Sequence, residues 1–303
     1  MKVKCGWHIP WYSSRPDKIE NANLNEMPFT LIKGTFRPDI GIPDGDSVRS
    51  QPNDPSNIKS LPGIRWRNGQ ETVQLRYEGI DALEKSAILP HSKNARDFNL
   101  GLLSGDSGDL YRTSSGYILA RAADGKSGRP ICFVFMDSTS RPDGSQVSLA
   151  ATELRESVNY KILASGLAYP LFYETLYAEL REMLRQAIDE AKKMSRGHIN
   201  LDVSMQGVAF GDKQHLGKIP PIFPKLYRRL MSYSAVANSL ERFLEWLVQN
   251  EKEEAHTLSD DRFHGFEKLL EIKQNSIRLL YPPEDIVFRP KRPRRNGVDW
   301  SQA

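Results

Sequence analysis

Asp44-Gly45-Asp46-Ser47-Val48, followed by Arg76-Tyr77-Glu78-Gly79-Ile80-Asp81-Ala82-Leu83-Glu84, is the stretch on which the reading of this chain turns. Asp46 and Asp81 are hard oxygen ligands of the kind that Ca²⁺ or Mg²⁺ prefers. Arg76 offers a planar fork of donors that matches a phosphate. Glu84 is a carboxylate that can serve a water molecule. An isolated Asp-Gly-Asp is a common turn, but the ordered set supplies a metal site, a phosphate clamp and a base. Those are the requirements of phosphodiester hydrolysis. The plain structural alternative for Arg76 is an ion pair with Glu78, two residues on and on the same strand face.

With those residues in hand, the chain resembles the staphylococcal-nuclease-like (thermonuclease) family. That family carries Asp-Gly-Asp-Thr-Val after its first strand, then an arginine five residues before Asp-Thr-Pro-Glu. Here the same spacing gives Asp44 to Val48, then Arg76, Asp81 and Glu84. Phe29 to Lys33 is similar to the first barrel strand, and Asp124-Gly125 to a hairpin turn. Val158-Asn159, Gly166-Leu167-Ala168-Tyr169 and a helix from about Tyr173 to Lys193 are similar to the last two helices. The resemblance implies an α+β fold, a five-stranded OB-fold β-barrel with flanking helices over 27–204. It implies Asp46, Asp81 and the main-chain carbonyl of Ala82 as metal ligands, and Arg76 and Glu84 as catalytic residues. The cofactor would be Ca²⁺, with Mg²⁺ or Mn²⁺ as substitutes, and the substrate DNA or RNA. Ala82 can replace threonine because that ligand is a backbone oxygen.

The family also has a second phosphate-binding arginine, just before its fourth strand in a Tyr-Gly-Arg context. Ser114-Ser115-Gly116-Tyr117 is the corresponding stretch, which puts Tyr117 in the arginine's place, with Arg112 and Arg121 as nearby substitutes. Without that cation, charge stabilisation weakens. Leu83 in place of proline loosens the loop before Glu84. A catalytically inactive nucleic-acid-binding barrel is therefore the main rival reading. A scaffold acting through its C-terminal helices is the other.

The rest of the sequence sets boundaries. The 303 residues, 39% hydrophobic and 26% charged, can bury one large core or two domains. A net charge of +4 is compatible with a polyanionic partner without demanding one. Two distant cysteines, Cys5 and Cys132, make no disulfide framework and suggest a reducing, cytoplasmic setting. No apolar stretch is long enough to span a bilayer, and the first ten residues lack the apolar core of a signal peptide. His198, His215, His256 and His264 show no ligand spacing and read as surface or loop residues.

Four segments are expected. Residues 1–26 form an irregular extension and 27–204 the barrel with its helices. Within that part, Gln51 to Arg65 is an insertion in the first hairpin, and Tyr117 to Ala123 and Ile131 to Met136 form another hairpin. Residues 205–288 are expected to be helical. Leu226, Leu230, Tyr233, Ala237, Leu240, Leu244 and Leu247 mark one apolar face, and Ser259-Asp260-Asp261 caps a second helix through Phe263, Phe266, Leu270, Ile277 and Leu280. That apolar face is either core or a surface for a protein partner or a second copy. Residues 289–303 form a basic tail, either solvated or an arm along a phosphate backbone.

Overall fold

The computed structural model describes residues 28–85 and 87–290. The extension over 1–26 and the basic tail beyond Pro290 lie outside the described residues. The fold is mixed α+β around an almost closed, barrel-like sheet. Its strands are β1 (Phe29–Phe36), β2 (Arg49–Pro52), β3 (Val73–Gln74) and β4 (Arg76–Tyr77), then, after the short ribbon strand β5 (Ile80–Asp81), β6 (Ser114–Ala123) and β7 (Pro130–Phe135). Strand β1 lies between β2 and β6, both antiparallel to it, and β6 pairs antiparallel with β7. The ring closes through one continuous stretch of chain. Val73–Gln74 pair with β2, and one residue later Arg76–Tyr77 pair in parallel with β7. A further strand, β8 (Gln146–Val147), adds to the outer end of β1.

These segments are strands for readable reasons. In β1, Phe29, Leu31 and Phe36 are buried with half-exposed residues between them, as a sheet with one wet face requires. In β7, Cys132, Phe133, Val134 and Phe135 are all buried, because helices cover the outer face too. The turn at Asp124 is held by its carboxylate, which accepts from the Lys126 and Ser127 amides at 2.7 and 3.1 Å. The insertion between β2 and β3 contains the short helix α1 (Pro55–Lys59).

Helix α2 (His91–Ser104) follows β5. Beyond the barrel come α3 (Ala151–Leu154), α4 (Val158–Ala164) and α5 (Ala178–Lys193). Leu180, Leu184, Ala187, Ile188 and Ala191 form the buried stripe of α5. Helix α5 begins at Ala178 rather than near Tyr173, because Tyr173 ends β10 (Phe172–Tyr173), which follows β9 (Tyr169–Pro170). Asn159 on α4 locks the helix layer to the sheet. Its side-chain oxygen accepts from the Val134 amide at 3.0 Å, and its nitrogen donates to the Glu78 and Cys132 carbonyls at 2.9 and 3.0 Å.

The C-terminal third departs from the helical expectation. It contains β11 (Val208–Ala209), α6 (Lys213–Leu216), α7 (Pro224–Tyr233) and α8 (Phe243–Asn250), then two β-hairpins. These are β12 (Glu254–Thr257) with β13 (Asp260–Gly265), and β14 (Leu270–Lys273) with β15 (Ser276–Leu279). A last strand, β16 (Ile286–Phe288), runs parallel to β10 and antiparallel to β12. In place of the second helix expected from Phe263 to Leu280 stand these hairpins, joined by one 3-10 turn at Phe266–Leu269. Gln274, with φ of 56°, turns the chain between β14 and β15, and Glu271 faces Arg278 across the ladder with an ion pair at 2.5 Å. Ser259-Asp260-Asp261 opens β13 instead of a helix. The apolar face from Leu226 to Leu247 is split into α7 and α8, and Leu226, Leu230, Tyr233, Leu240 and Leu247 are buried in the same core as the barrel. Among the described residues, no helix is long and apolar enough to cross a membrane.

Replacing Asn159 by alanine strands the Val134 amide and the Glu78 carbonyl in the interior, while the Cys132 carbonyl keeps the Glu78 amide. Urea unfolding should show a loss of about 1–3 kcal/mol. A change within about 0.5 kcal/mol, the range of an indifferent surface position, would mean that this side chain does not hold α4 to the sheet.

Candidate active site

Closure of the barrel places the predicted residues together. The Leu75 amide donates to the Val48 carbonyl at 2.8 Å and the Tyr77 amide to the Asp46 carbonyl at 3.1 Å. Asp46 therefore lies directly alongside the strand that carries Arg76. Gly45 explains the Asp-Gly-Asp pattern sterically. A Cβ there would stand 2.6 Å from the Ala82 methyl and 2.9 Å from that of Ala95. The absent side chain lets the Asp44–Val48 turn press against the Ile80–Glu84 loop. Asn99 of α2 fastens the turn, donating to the Asp44 carbonyl at 2.7 Å while accepting from the Tyr77 hydroxyl at 3.0 Å. Asp81 is fixed by the pairing of β5 with β9, opposite Tyr169.

The electrostatics are those of a crowded acidic site. Burial pushes the Asp46 carboxyl well above the usual carboxylate range, the neighbouring Asp44 and Asp81 charges push it further, and Arg76 only partly offsets them. Burial works against the Arg76 charge, but Asp81, Tyr173 and Asp46 together hold its guanidinium above its ordinary value. Arg76 thus answers the acidic cluster. Glu78 is buried beneath both Arg121 and Arg76, and burial raises its carboxyl in spite of them.

Sequence reasoning missed the arginine that dominates the site. Arg228 of α7 reaches in from the C-terminal region and grips Asp81 with both guanidinium nitrogens, at 3.0 and 2.7 Å. It also donates to Glu84 at 2.9 Å. The helix is held in that pose by its own basic residues. Lys225 pairs with Glu253 at 2.8 Å, and Arg229 bridges Glu251 at 3.1 Å and Glu253 at 2.8 Å. Lys225 also lies over the Phe288 ring at 4.3 Å. Burial alone would raise the Glu253 carboxyl, but the Lys225 and Arg229 charges and their hydrogen bonds override it and bring it to about 2. Lys225, Arg228 and Arg229, at three- and four-residue spacing on α7, are the local signal, and nothing nearby in sequence points Arg228 at Asp81.

The second-arginine candidates fall elsewhere. Tyr117 stacks on Phe135 at 4.9 Å, and its hydroxyl accepts from Arg141 at 3.3 Å. Arg121 donates to the Thr175 carbonyl at 2.6 Å and lies over the Tyr177 ring at 4.3 Å. Arg112 lines an open cavity with Thr35, Ser104 and Ser115, away from the carboxylates. Arg129 is better placed. It stands two residues before Ile131, which is the register partner of Arg76, and it pairs with Asp124 at 3.7 Å. The Arg76 charge also reaches Asp124, so the two guanidiniums share a neighbour. Gly128-Arg129 is a glycine-arginine pair, where Gly116 is followed by tyrosine.

Among the described residues, no three His, Cys, Asp or Glu side chains stand arranged as a ready metal cage. Both oxygens of Asp81 are turned to Arg228 instead. Asp44, Asp46 and Asp81 are near enough to repel one another, and carboxylate oxygens are the donor type that hard cations take. His198, expected at the surface, is buried beside Tyr169 and His91, and that burial lowers its imidazole to about 3. No protein-family model matches the chain, and no curated protein matches it.

Two measurements check this geometry. Gly45→Ala should lose about 1–3 kcal/mol of stability by forcing the two acidic loops apart, as overpacking does. Unchanged stability would show that the loops are not in contact. Glu253 is held below its unfolded value of 4.5, so its contribution is present above about pH 4.5 and disappears as pH falls through about 2. The stability gap between wild type and Glu253→Gln should therefore close over that window, by roughly 3 kcal/mol at about 1.4 per pKa unit. Parallel pH curves would show that Glu253 makes no such pairing.

Proposed function

We propose that the barrel is an OB-fold of the staphylococcal-nuclease-like kind and that the protein is a metal-dependent nuclease acting on DNA or RNA. The observation that carries this reading is the convergence of Asp46, Arg76, Asp81 and Glu84 on one rim, from three separate loops and strands. The resemblance in sequence spacing supports it independently of the fold.

In this reading Asp46 and Asp81, with the Ala82 carbonyl, hold a divalent cation, with Ca²⁺ the first choice. When bound, the cation supplies Lewis-acid stabilisation of the charge that develops on a phosphate oxygen. Arg76 binds the phosphodiester through its fork of donors and orients it. Glu84 positions the attacking water and accepts its proton, a role typically worth about 10²–10⁴-fold. Arg129 beside Arg76 is the second cation for the phosphate. Phosphodiester chemistry gains most from charges fixed in place before the reaction, and both arginines stand on or immediately before paired strands.

A barrel that binds nucleic acid without cutting it is the second reading. The grip of Arg228 on Asp81 and Glu84 favours it, because the same atoms cannot at once serve a cation and a water.

Incubating plasmid, single-stranded DNA and RNA with Ca²⁺, Mg²⁺, Mn²⁺ or EDTA separates the two. Cleavage should need the cation, disappear in Asp46→Asn, and fall about 10²–10⁴-fold in Glu84→Gln. Arg129→Gln should reduce the rate much more than Tyr117→Phe. Binding with no cleavage under any cation would establish the second reading, and neither binding nor cleavage would remove both.

A further inference from the structure

We infer that Arg228 is a built-in counter-ion that competes with the divalent cation for Asp81, so that cation binding and release of α7's guanidinium are one linked event. This rests on the nuclease reading of the acidic site. Three observations carry it. Both Asp81 carboxylate oxygens accept from Arg228, at 3.0 and 2.7 Å, and the same guanidinium takes Glu84 at 2.9 Å. Asp81 is itself buried, and a cation sharing its oxygens would stand against the like-charged Arg228 guanidinium. Arg228 is also not a wandering surface side chain. It is presented by a helix anchored on both sides, through Lys225 and Arg229, to Glu251 and Glu253.

The chemistry follows from charge. A carboxylate buried among other carboxylates is unstable without a positive neighbour, and Arg228 is that neighbour for Asp81. A divalent cation brings twice the charge to the same oxygens. It displaces the fork from Asp81 and Glu84, which also frees Glu84 to accept a proton. The anchors remain, so the displaced guanidinium stays within reach of the site. Linkage is reciprocal, so whatever weakens the grip of Arg228 on Asp81 must strengthen cation binding by the same factor.

The test is calorimetric titration of the full chain with CaCl₂ and with MgCl₂, alongside melting temperatures with and without cation. Wild type, Arg228→Gln, Arg228→Lys and Lys85→Gln are compared, after circular dichroism shows that each is folded. Arg228→Gln should bind the cation about 5- to 150-fold more tightly than wild type, the usual span of a coupling between sites. Arg228→Lys keeps the charge but loses the two-pronged grip, so it should fall between them. Lys85→Gln removes the same charge beside Asp44, paired at 3.7 Å, without freeing Asp81, and should change affinity far less. An equal rise in Lys85→Gln would reduce the effect to net charge and overturn the competition. Cation affinity unchanged or weaker in both Arg228 variants would also overturn it while leaving the metal site standing. Should no protein in the set bind a cation, the nuclease reading falls and takes this inference with it. If Arg228→Gln does not fold, Arg228→Lys decides, since loss of the fork alone must still tighten binding.

Discussion

The hydrogen bond from the Tyr77 amide to the Asp46 carbonyl, with its neighbour from Leu75 to Val48, is the constraint on which the site depends. The stretch from Val73 to Tyr77 serves two partners in turn, β2 first and then β7. It can do so only if the chain before β2 lies close alongside, and that chain is the Asp44–Val48 turn. The same bonds that shut the barrel therefore set Asp46 next to Arg76. Gly45 is the steric condition for this arrangement, because any side chain there meets Ala82 and Ala95. The fold and the acidic site are one structural fact seen from two sides. A variant that loosens closure should lose the site before it loses the helices.

The C-terminal region completes this arrangement instead of standing apart from it. Strand β16 pairs with β10, and Phe288 and Phe223 stack at 6.3 Å within the core that also takes Tyr169. Helix α7 then turns three cationic side chains toward two acidic neighbourhoods, Glu251 with Glu253 and Asp81 with Glu84. Burying so many charges is favourable only when each has a partner and the remaining donors are used. Lys225, buried, shares Glu253 with Arg229 and sits over aromatic rings. Arg228 answers Asp81. The acidic rim and the basic helix face are each poor in isolation, and docking one on the other resolves both.

Spacing in the sequence made Asp46, Arg76, Asp81 and Glu84 legible because strand geometry and local turns bring them together. The hairpin at Asp124-Gly125 was legible for the same reason. Arg129 was not, because Gly116-Tyr117 and Gly128-Arg129 both follow a glycine at the mouth of a long strand. The parallel pairing of β7 with β4 sets Arg129 just before the strand that lies alongside Arg76. Arg228 was illegible in principle, since it lies 147 residues from Asp81 and meets it through tertiary docking alone. The hairpins after Glu254 were misread because Phe263, Phe266, Leu270 and Ile277 fall at three- and four-residue steps by coincidence. The local period of two in Leu270, Ile272, Ile277 and Leu279 and the turn at Gln274 carry the true signal. His198 was misjudged because a single imidazole has no sequence period from which burial can be read.

Charge balance ties these parts into one account of the rim. Four carboxyl groups, Asp44, Asp46, Asp81 and Glu84, face three cationic side chains, Arg76, Arg228 and Lys85. Glu84 and Lys85 are half-exposed and screened by water, so the repulsion falls on Asp46, whose carboxyl is pushed above its usual range by burial and by the Asp44 and Asp81 charges. The closure of β3 and β4 holds Asp46 against this repulsion, because the Tyr77 amide grips its carbonyl and the Arg76 charge on the same strand only partly offsets its acidic neighbours.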